Sequence, residues 1–283
     1  MCLRSRFLFL LAIGAVLCLP MAVRAASAAI PHGKVTLLAE HRSISPGQQT
    51  TLALRFQLEE GWHIYWQNPG DSGQPPRVRW QLPAGLTVGE IQWPVPRRIQ
   101  TAANIVDYGY YGTVLLLVPL HAAPDLTARS NANIGAEVNV VVCREVCLTG
   151  KAQVSLALPV RAGSPVVNQP LRSEFERARQ ALPQPVPASW RLRATQSRDT
   201  VVLYGETGEP IPQGFFFPWE ESQIENAAAQ NWDSASSRSP GFRLTLRKSA
   251  RSRAPLARLR GVLALENGRA YWLEVPVAAE GRN

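Results

Sequence analysis

The chain has 283 residues, a formal net charge of +9 and 4 cysteines. Beyond residue 28 no apolar run reaches the roughly 18 residues of a membrane-spanning helix, which predicts a soluble remainder. The basic balance alone permits a nucleic-acid partner, but the first residues exclude one by predicting export.

Arg4 and Arg6 precede an apolar run over 7–19 closed by Pro20, with Ala26 and Ala28 placed as the −3 and −1 residues of a cleavage site. That order is the layout of a secretory signal peptide over 1–28, with cleavage after Ala25 as a near alternative. Leu17 stands where lipoprotein processing at Cys18 needs a small residue. Loss of the peptide removes Arg4, Arg6 and Arg24 and lowers the charge to +6. It leaves Cys143 and Cys147 in an oxidising compartment where neighbouring thiols form disulfides.

The mature sequence reads as mostly strand. Runs rich in Val, Leu, Ile, Thr and aromatics predict strands over 35–38, 50–58, 63–66, 78–82, 113–120, 136–142 and 153–160. Turn clusters such as SPGQ, NPGDSGQPP and LPAG separate them, and the pattern predicts a β-sandwich over 29–160. The run over 50–58 alternates Leu52, Leu54, Phe56 and Leu58 with Thr51, Ala53, Arg55 and Gln57, as a half-buried strand does. Leu171, Phe175, Ala178 and Leu182 recur at helical spacing before Pro183, Pro185 and Pro187, predicting a linker over 161–189 with a short helix. Further strands over 190–194, 200–204, 214–219, 242–246, 256–265 and 270–277 make residues 190–283 a second β-sandwich, with 231–241 an exposed loop.

Chemistry centres on the segment EVNVVVCREVCLTGKAQVSLALPV. In a straight strand, residues four apart lie roughly 13 Å from each other, too far for a disulfide. The valines at 138 and 140–142 make a helix the poorer local choice, so a reversal at Arg144, Glu145 and Val146 is predicted, with a disulfide at the mouth of a hairpin. A ring this small stabilises a fold by only about 2 kcal/mol, against ~4–5 kcal/mol for a hundred-residue loop. Three readings stay open: a redox-active pair, a structural staple, and a metal site. The staple belongs with a non-catalytic binding module for a protein partner or copper. A metal site would hold copper or zinc on two thiolates and an imidazole, but His32, His41, His63 and His121 show no ligand spacing to the pair.

The segment CREVCLTGKAQVSLALPV resembles the disulfide-carrying hairpin of the amino-terminal periplasmic domain of the DsbD-type protein-disulfide reductases. GWHIYWQNPGDSGQPPRVRWQLPAG, IQWPVPRR and VDYGYYGTVLLLVPL are similar to blocks of its branch with three residues between the cysteines, which includes the ScsB proteins linked to copper-stress tolerance. GFFFPWEESQIENAAAQ resembles, more loosely, the second periplasmic β-domain of that branch. The resemblance implies an all-β chain of two immunoglobulin-like β-sandwich domains. It implies a periplasmic thiol–disulfide exchange protein, an oxidoreductase whose catalytic residues are Cys143 and Cys147, with Cys147 engaging the partner. It also implies that His63 and Tyr65 flank the pair, and that Asp107, Tyr108, Gly109, Tyr110 and Tyr111 form a loop that caps it. His63, which alternates with Trp62 and Ile64, is equally well read as a surface residue, and Asp71 as a turn residue. The partners implied are thioredoxin-like periplasmic proteins and, because the sequence contains neither the family's membrane domain nor a C-x-x-C motif, a separate membrane electron transporter; no cofactor is implied. The family's proline after the second cysteine is replaced by Leu148.

Overall fold

The structure is a computed structural model that describes residues 27–128, 130–234, 240–252 and 254–279; the expected signal peptide therefore lies, up to residue 26, outside the described residues. The first domain runs from β1 (Ser27–Ile30), β2 (Gly33–Ala39), β3 (Gln49–Leu58) and β4 (His63–Gly70) to β5 (Arg77–Gln81) and β6 (Leu86–Val88). It continues through β7 (Arg97–Ala102), β8 (Ile105–Tyr111), β9 (Thr113–Ala122), β10 (Asn131–Cys143) and β11 (Cys147–Pro159). One sheet has the order β1-β2-β3-β9-β6, and the other the order β11-β10-β4-β8-β7 with β5 paired to β10.

Period-2 alternation turns Leu37, Leu52, Leu54, Phe56, Leu116 and Val118 of the first sheet toward Ile64, Trp66, Val138, Val140 and Val142 of the second, forming one core. The outer face of the first sheet is covered as well, contrary to the half-buried strand predicted for 50–58. Helix α1 (Arg172–Gln180) lays Phe175 onto Leu38, Ala53, Leu115 and Leu117, and Phe175 is fully buried. Leu171, Ala178 and Leu182 pack at the margin of this cluster, as their spacing predicts. Ion pairs of Glu174 with Arg55 (3.3 Å) and of Arg179 with Glu40 (2.5 Å) border the contact, so the linker helix is docked on the first domain.

The second domain comprises β12 (Gln184–Pro185), β13 (Arg191–Gln196), β14 (Thr200–Glu206), β15 (Gly214–Pro218), β16 (Asn231–Ser234), β17 (Gly241–Arg247), β18 (Arg258–Leu265) and β19 (Ala270–Ala279). Its strands form a single path, β15-β18-β19-β13-β14-β17-β16, and not the two facing sheets expected. Parallel pairing of β13 with β19 at Ala194↔Val277 joins the halves, and the sheet curls round a core that includes Phe216, Leu244, Leu263 and Leu273. Part of the segment predicted as a loop over 231–241 is strand, because β16 pairs with β17.

The domains also share apolar contacts. Phe217 and Val262 belong to the core of the first domain. The Trp66 ring meets those of Phe217 and Trp219 edge-on at 6.2 and 5.6 Å, and Tyr108 meets Phe217 at 5.2 Å. Asn68, buried at this junction, donates to the carbonyls of Pro218 (2.8 Å) and Glu220 (3.2 Å). Strand β15 thus closes one end of the first core immediately behind β4 and β8. Among the described residues no helix is long and apolar enough to cross a membrane.

Candidate functional site

Strands β10 and β11 form a long hairpin in continuous register from Asn131↔Pro159 to Cys143↔Cys147. Inward Val138, Val140 and Val142 anchor it to the core, and Arg144, Glu145 and Val146 make the reversal that their position predicts. The Arg144 N–H bonds the Val146 carbonyl at 3.2 Å. Cys143 and Cys147 are joined by a disulfide across a Cα separation of 4.2 Å. Their environments differ: Cys143 is 2% exposed, whereas Cys147 lies at the surface among the exposed residues 144–149.

Register brings distant residues onto the face of the disulfide. Cys143 stands opposite His63 on β4, and His63 opposite Tyr111 on β8. Directly opposed residues share a face, so Cys147, Cys143, His63 and Tyr111 form one row across four strands. Tyr65, two residues beyond His63, lies opposite Gly109. A Cβ at Gly109 would come within 2.2 Å of the Ile64 carbonyl oxygen, so glycine permits this close strand approach.

His63 is buried, which removes the surface reading. Its ring lies edge-on to Tyr65 and Tyr111 at 5.2 and 5.5 Å, and Nε2 has no hydrogen-bond partner. Nε2 is 4.0 Å from Asp107 Oδ2. Burial lowers the His63 pKa to about 4, so the imidazole is neutral at pH 7, and burial raises that of Asp107 against the opposing hydrogen bonds from Ser72. Both Asp107 oxygens accept from the Ser72 hydroxyl at 2.9 Å. The Tyr65 hydroxyl is 3.6 Å from Cys147 Sγ and 3.5 Å from Ser72 Oγ. Burial pushes the Tyr65 pKa up to about 12, which keeps it a neutral proton donor.

The cap predicted over 107–111 is not a loop. These residues belong to β8, paired with β4 on one side and β7 on the other. Alternation sends Asp107 and Tyr111 to the disulfide face and Tyr108 and Tyr110 into the interior. Tyr108 is fully buried against the second domain, and Tyr110 donates its hydroxyl to the Pro94 carbonyl at 2.7 Å. Burial raises the pKa of both phenols. Tyr111, 39% exposed, is the tyrosine of this strand at the surface. Trp62 and Trp66 join the core, and Trp62 also stacks on His32 at 3.7 Å.

Ser72 has no sequence signal beyond the GDSG cluster at 70–73, in which Asp71 reads as a turn residue. Asp71 does turn the chain, accepting from the Val106 N–H at 2.8 Å, but its other oxygen accepts from Asn226 of the second domain at 2.8 Å. Exposed Val146 and Leu148 flank Cys147. A groove of about 280 Å³ continues along the same face past Val141 and Thr149 to Asn139 and Lys151, with Arg77 on its far wall. Among the described residues no group of three or more His, Cys, Asp or Glu side chains is placed to hold a metal ion.

Fold and site define a two-domain β protein with a hairpin disulfide, one sulfur shielded and one accessible. Residues 34–159 match the family described as "Thiol:disulfide interchange protein DsbD, N-terminal". The fold is similar to that of the N-terminal periplasmic domain of ScsB from Proteus mirabilis, with a TM-score of 0.67 and 15% identity over 90% of this chain and 99% of that one. The periplasmic chaperone SfaE aligns with a TM-score of 0.21 and 10% identity over 86% of this chain and 100% of that one, too low a similarity to carry an argument. No curated protein sequence matches the chain.

Proposed function

We propose that the chain is a periplasmic thiol–disulfide exchange protein of the DsbD and ScsB kind, which relays electrons from a separate membrane reductase to oxidised, thioredoxin-like proteins. The observation that carries this reading is the asymmetry of the pair: Cys147 is exposed and Cys143 buried beneath His63. The match over residues 34–159 supports it, as does the pair of facing antiparallel sheets, which we read as an immunoglobulin-like domain.

A donor thiolate attacks Cys147 Sγ, forming a mixed disulfide and releasing Cys143 as a thiolate. The donor's second thiolate then attacks its own sulfur in that mixed disulfide, leaving the donor oxidised and Cys147 and Cys143 reduced. In the forward step the Cys147 thiolate attacks a client disulfide and one client thiolate leaves. Cys143 then attacks Cys147 Sγ, which restores the disulfide and frees the reduced client. Two electrons pass in each half, and in each the exposed sulfur meets the partner.

Tyr65 supports the chemistry as a neutral hydroxyl donor beside Cys147, because a thiolate accepts a stronger hydrogen bond than a disulfide sulfur. Tyr111 and His63 shield the inner sulfur. Trapping tests the reading: with an oxidised thioredoxin-like protein, reduced Cys143→Ser accumulates a mixed disulfide and Cys147→Ser does not. A native disulfide that resists millimolar dithiothreitol in the folded protein would instead leave a structural staple within a binding module.

A further inference from the structure

We propose that Asn226, a residue of the second domain, is a positioning residue of the redox site: its side-chain amide fixes the 70–73 loop, and this loop sets the Tyr65 hydroxyl against Cys147. The inference rests on the exchange reading given above.

The amide is held at both ends. Asn226 is 7% exposed, its Oδ1 accepts from the Tyr108 hydroxyl at 3.1 Å, and its Nδ2 donates to Asp71 Oδ1 at 2.8 Å. The Asp71 oxygen accepts and the Tyr108 hydroxyl donates, so a carboxamide, which offers both an N–H and a carbonyl oxygen, satisfies both, whereas a carboxylate at 226 has no N–H to give Asp71. Asp71 in turn is clamped to β8, its N–H donating to the Val106 carbonyl at 3.0 Å and its Oδ2 accepting from the Val106 N–H at 2.8 Å.

The next residues reach the site. The Ser72 N–H donates to Asp107 Oδ1 at 3.0 Å, and the Ser72 hydroxyl lies between Asp107 and Tyr65. Gly73, at φ +70°, passes so close to the Tyr65 ring that a Cβ there would lie 2.0 Å from Cζ. The loop backbone therefore limits where the ring can stand, and the ring places the hydroxyl 3.6 Å from Cys147 Sγ. Asn68 holds the start of this loop, accepting from the Gly70 N–H at 2.9 Å while donating to the second domain at Pro218. Two amides from opposite sides of the domain junction thus grip one short loop.

The prediction is a change at the sulfur, not only in the stability of the junction. Other charged or titratable groups around the cysteines are Arg144 and Glu145 in the turn, His63 on β4, and Asp107 and Tyr111 on β8; of these Asp107 faces Asp71, the carboxylate that loses its amide partner on substitution at 226, whereas Tyr108→Phe leaves the Asp71–Asn226 bond in place. Lys151 on β11 and the Glu59 and His32 side chains beside the turn at Gly61 are untouched.

The experiment uses the full mature chain carrying Cys143→Ser and follows iodoacetamide alkylation of Cys147 against pH, with and without Asn226→Leu or Tyr108→Phe. Loss of the positioned hydroxyl should slow alkylation at pH 7 about threefold, the equivalent of a rise of about half a unit in the thiol midpoint. Tyr108→Phe, which keeps the ring and deletes one hydroxyl, should move the midpoint the same way by less. An unchanged midpoint in folded Asn226→Leu overturns the proposal, whatever happens to the melting temperature. If Asn226→Leu fails to fold, Tyr108→Phe decides alone, and an unchanged midpoint there overturns it equally. A two-cysteine parent whose disulfide dithiothreitol cannot reduce defeats the exchange reading itself, a result separate from either of these.

Discussion

The Tyr65 hydroxyl stands 3.6 Å from Cys147 Sγ, the exposed sulfur of the pair, while the ring beneath it is held by Gly73. One proton on this hydroxyl serves either the sulfur or Ser72, which lies 3.5 Å away. In the disulfide the sulfur is a weak acceptor; after reduction the thiolate competes better for the proton. Tyr65→Phe keeps the ring and removes that donor. The Cys147 thiol pKa in the reduced protein should rise by about one unit, since a hydrogen bond to a charged group contributes roughly 1.5–3 kcal/mol. The pH profile of Cys147 alkylation measures it, and an unchanged midpoint would show that the hydroxyl does not reach the thiolate.

Replacing both cysteines should leave the fold intact. The ring they close is small, and loop-closure entropy gives about 2 kcal/mol of stabilisation for it. The hairpin is independently fixed by its long ladder and by Val138, Val140 and Val142 in the core. Urea unfolding of Cys143→Ser/Cys147→Ser should show a loss of that order with an unchanged slope. A double variant that cannot fold would make the bond a staple.

Acid stability should carry two opposed contributions. His63 has a folded pKa lowered to about 4 from 6.5, so the unfolded chain binds more protons between those values. Its contribution is present above pH 6.5 and is lost as pH falls toward 4. Asp107 is shifted up, so the folded chain binds more protons above pH 3.8, and its contribution declines as pH rises through that window. His63→Gln should therefore flatten the fall in melting temperature between pH 6.5 and 4, and Asp107→Asn should steepen it. Parallel pH profiles for both variants and the parent would refute this assignment.

Much of the fold was legible because burial imposed a simple period. Leu171, Phe175, Ala178 and Leu182 announce the helix, and the valines of β10 announce the hairpin. Strand β8 was not legible as a strand, because the family resemblance places a cap loop at 107–111, where the structure has strand. Tertiary context makes it a strand: both faces are covered, by the core and the second domain on one side and by the redox site on the other. Strand β1 was hidden for a different reason, since the small residues Ser27, Ala28 and Ala29 are also what a cleavage site requires. At the site, the cysteines were legible from their spacing, whereas Ser72 and Asn226 were not. Their roles come from a loop gripped across a domain junction, which leaves no period in the sequence.

Strand β1 bears on processing. Ser27 pairs with Thr36, their hydroxyls 2.8 Å apart, and Ala28 pairs with Val35. Cleavage after Ala28 would delete this half of the strand, whereas cleavage after Ala25 keeps it whole. The exported protein should therefore begin at Ala26, and the intact mass of periplasmic material would show it. A mature chain beginning at Ala29 would leave β1 only its second half, Ala29 and Ile30, and would overturn this expectation.

The tyrosines of β8 should separate by face. Tyr111 is 39% exposed and edge-on to His63, so Tyr111→Ala uncovers the disulfide face without opening the core. Reduction by dithiothreitol should then accelerate severalfold, with stability changing little because a half-exposed side chain contributes little packing. Tyr110 is 6% exposed and bonded to the Pro94 carbonyl, and Tyr110→Ala leaves both a cavity and an unpaired buried carbonyl. It should cost about 3–5 kcal/mol, as truncation of a buried aromatic does. Rates compared in the folded state, together with urea midpoints, distinguish the two. Equal acceleration by both variants at matched stability would mean that β8 guards the disulfide as a unit; no effect of Tyr111→Ala would mean that the shield lies in His63 and the strand backbone.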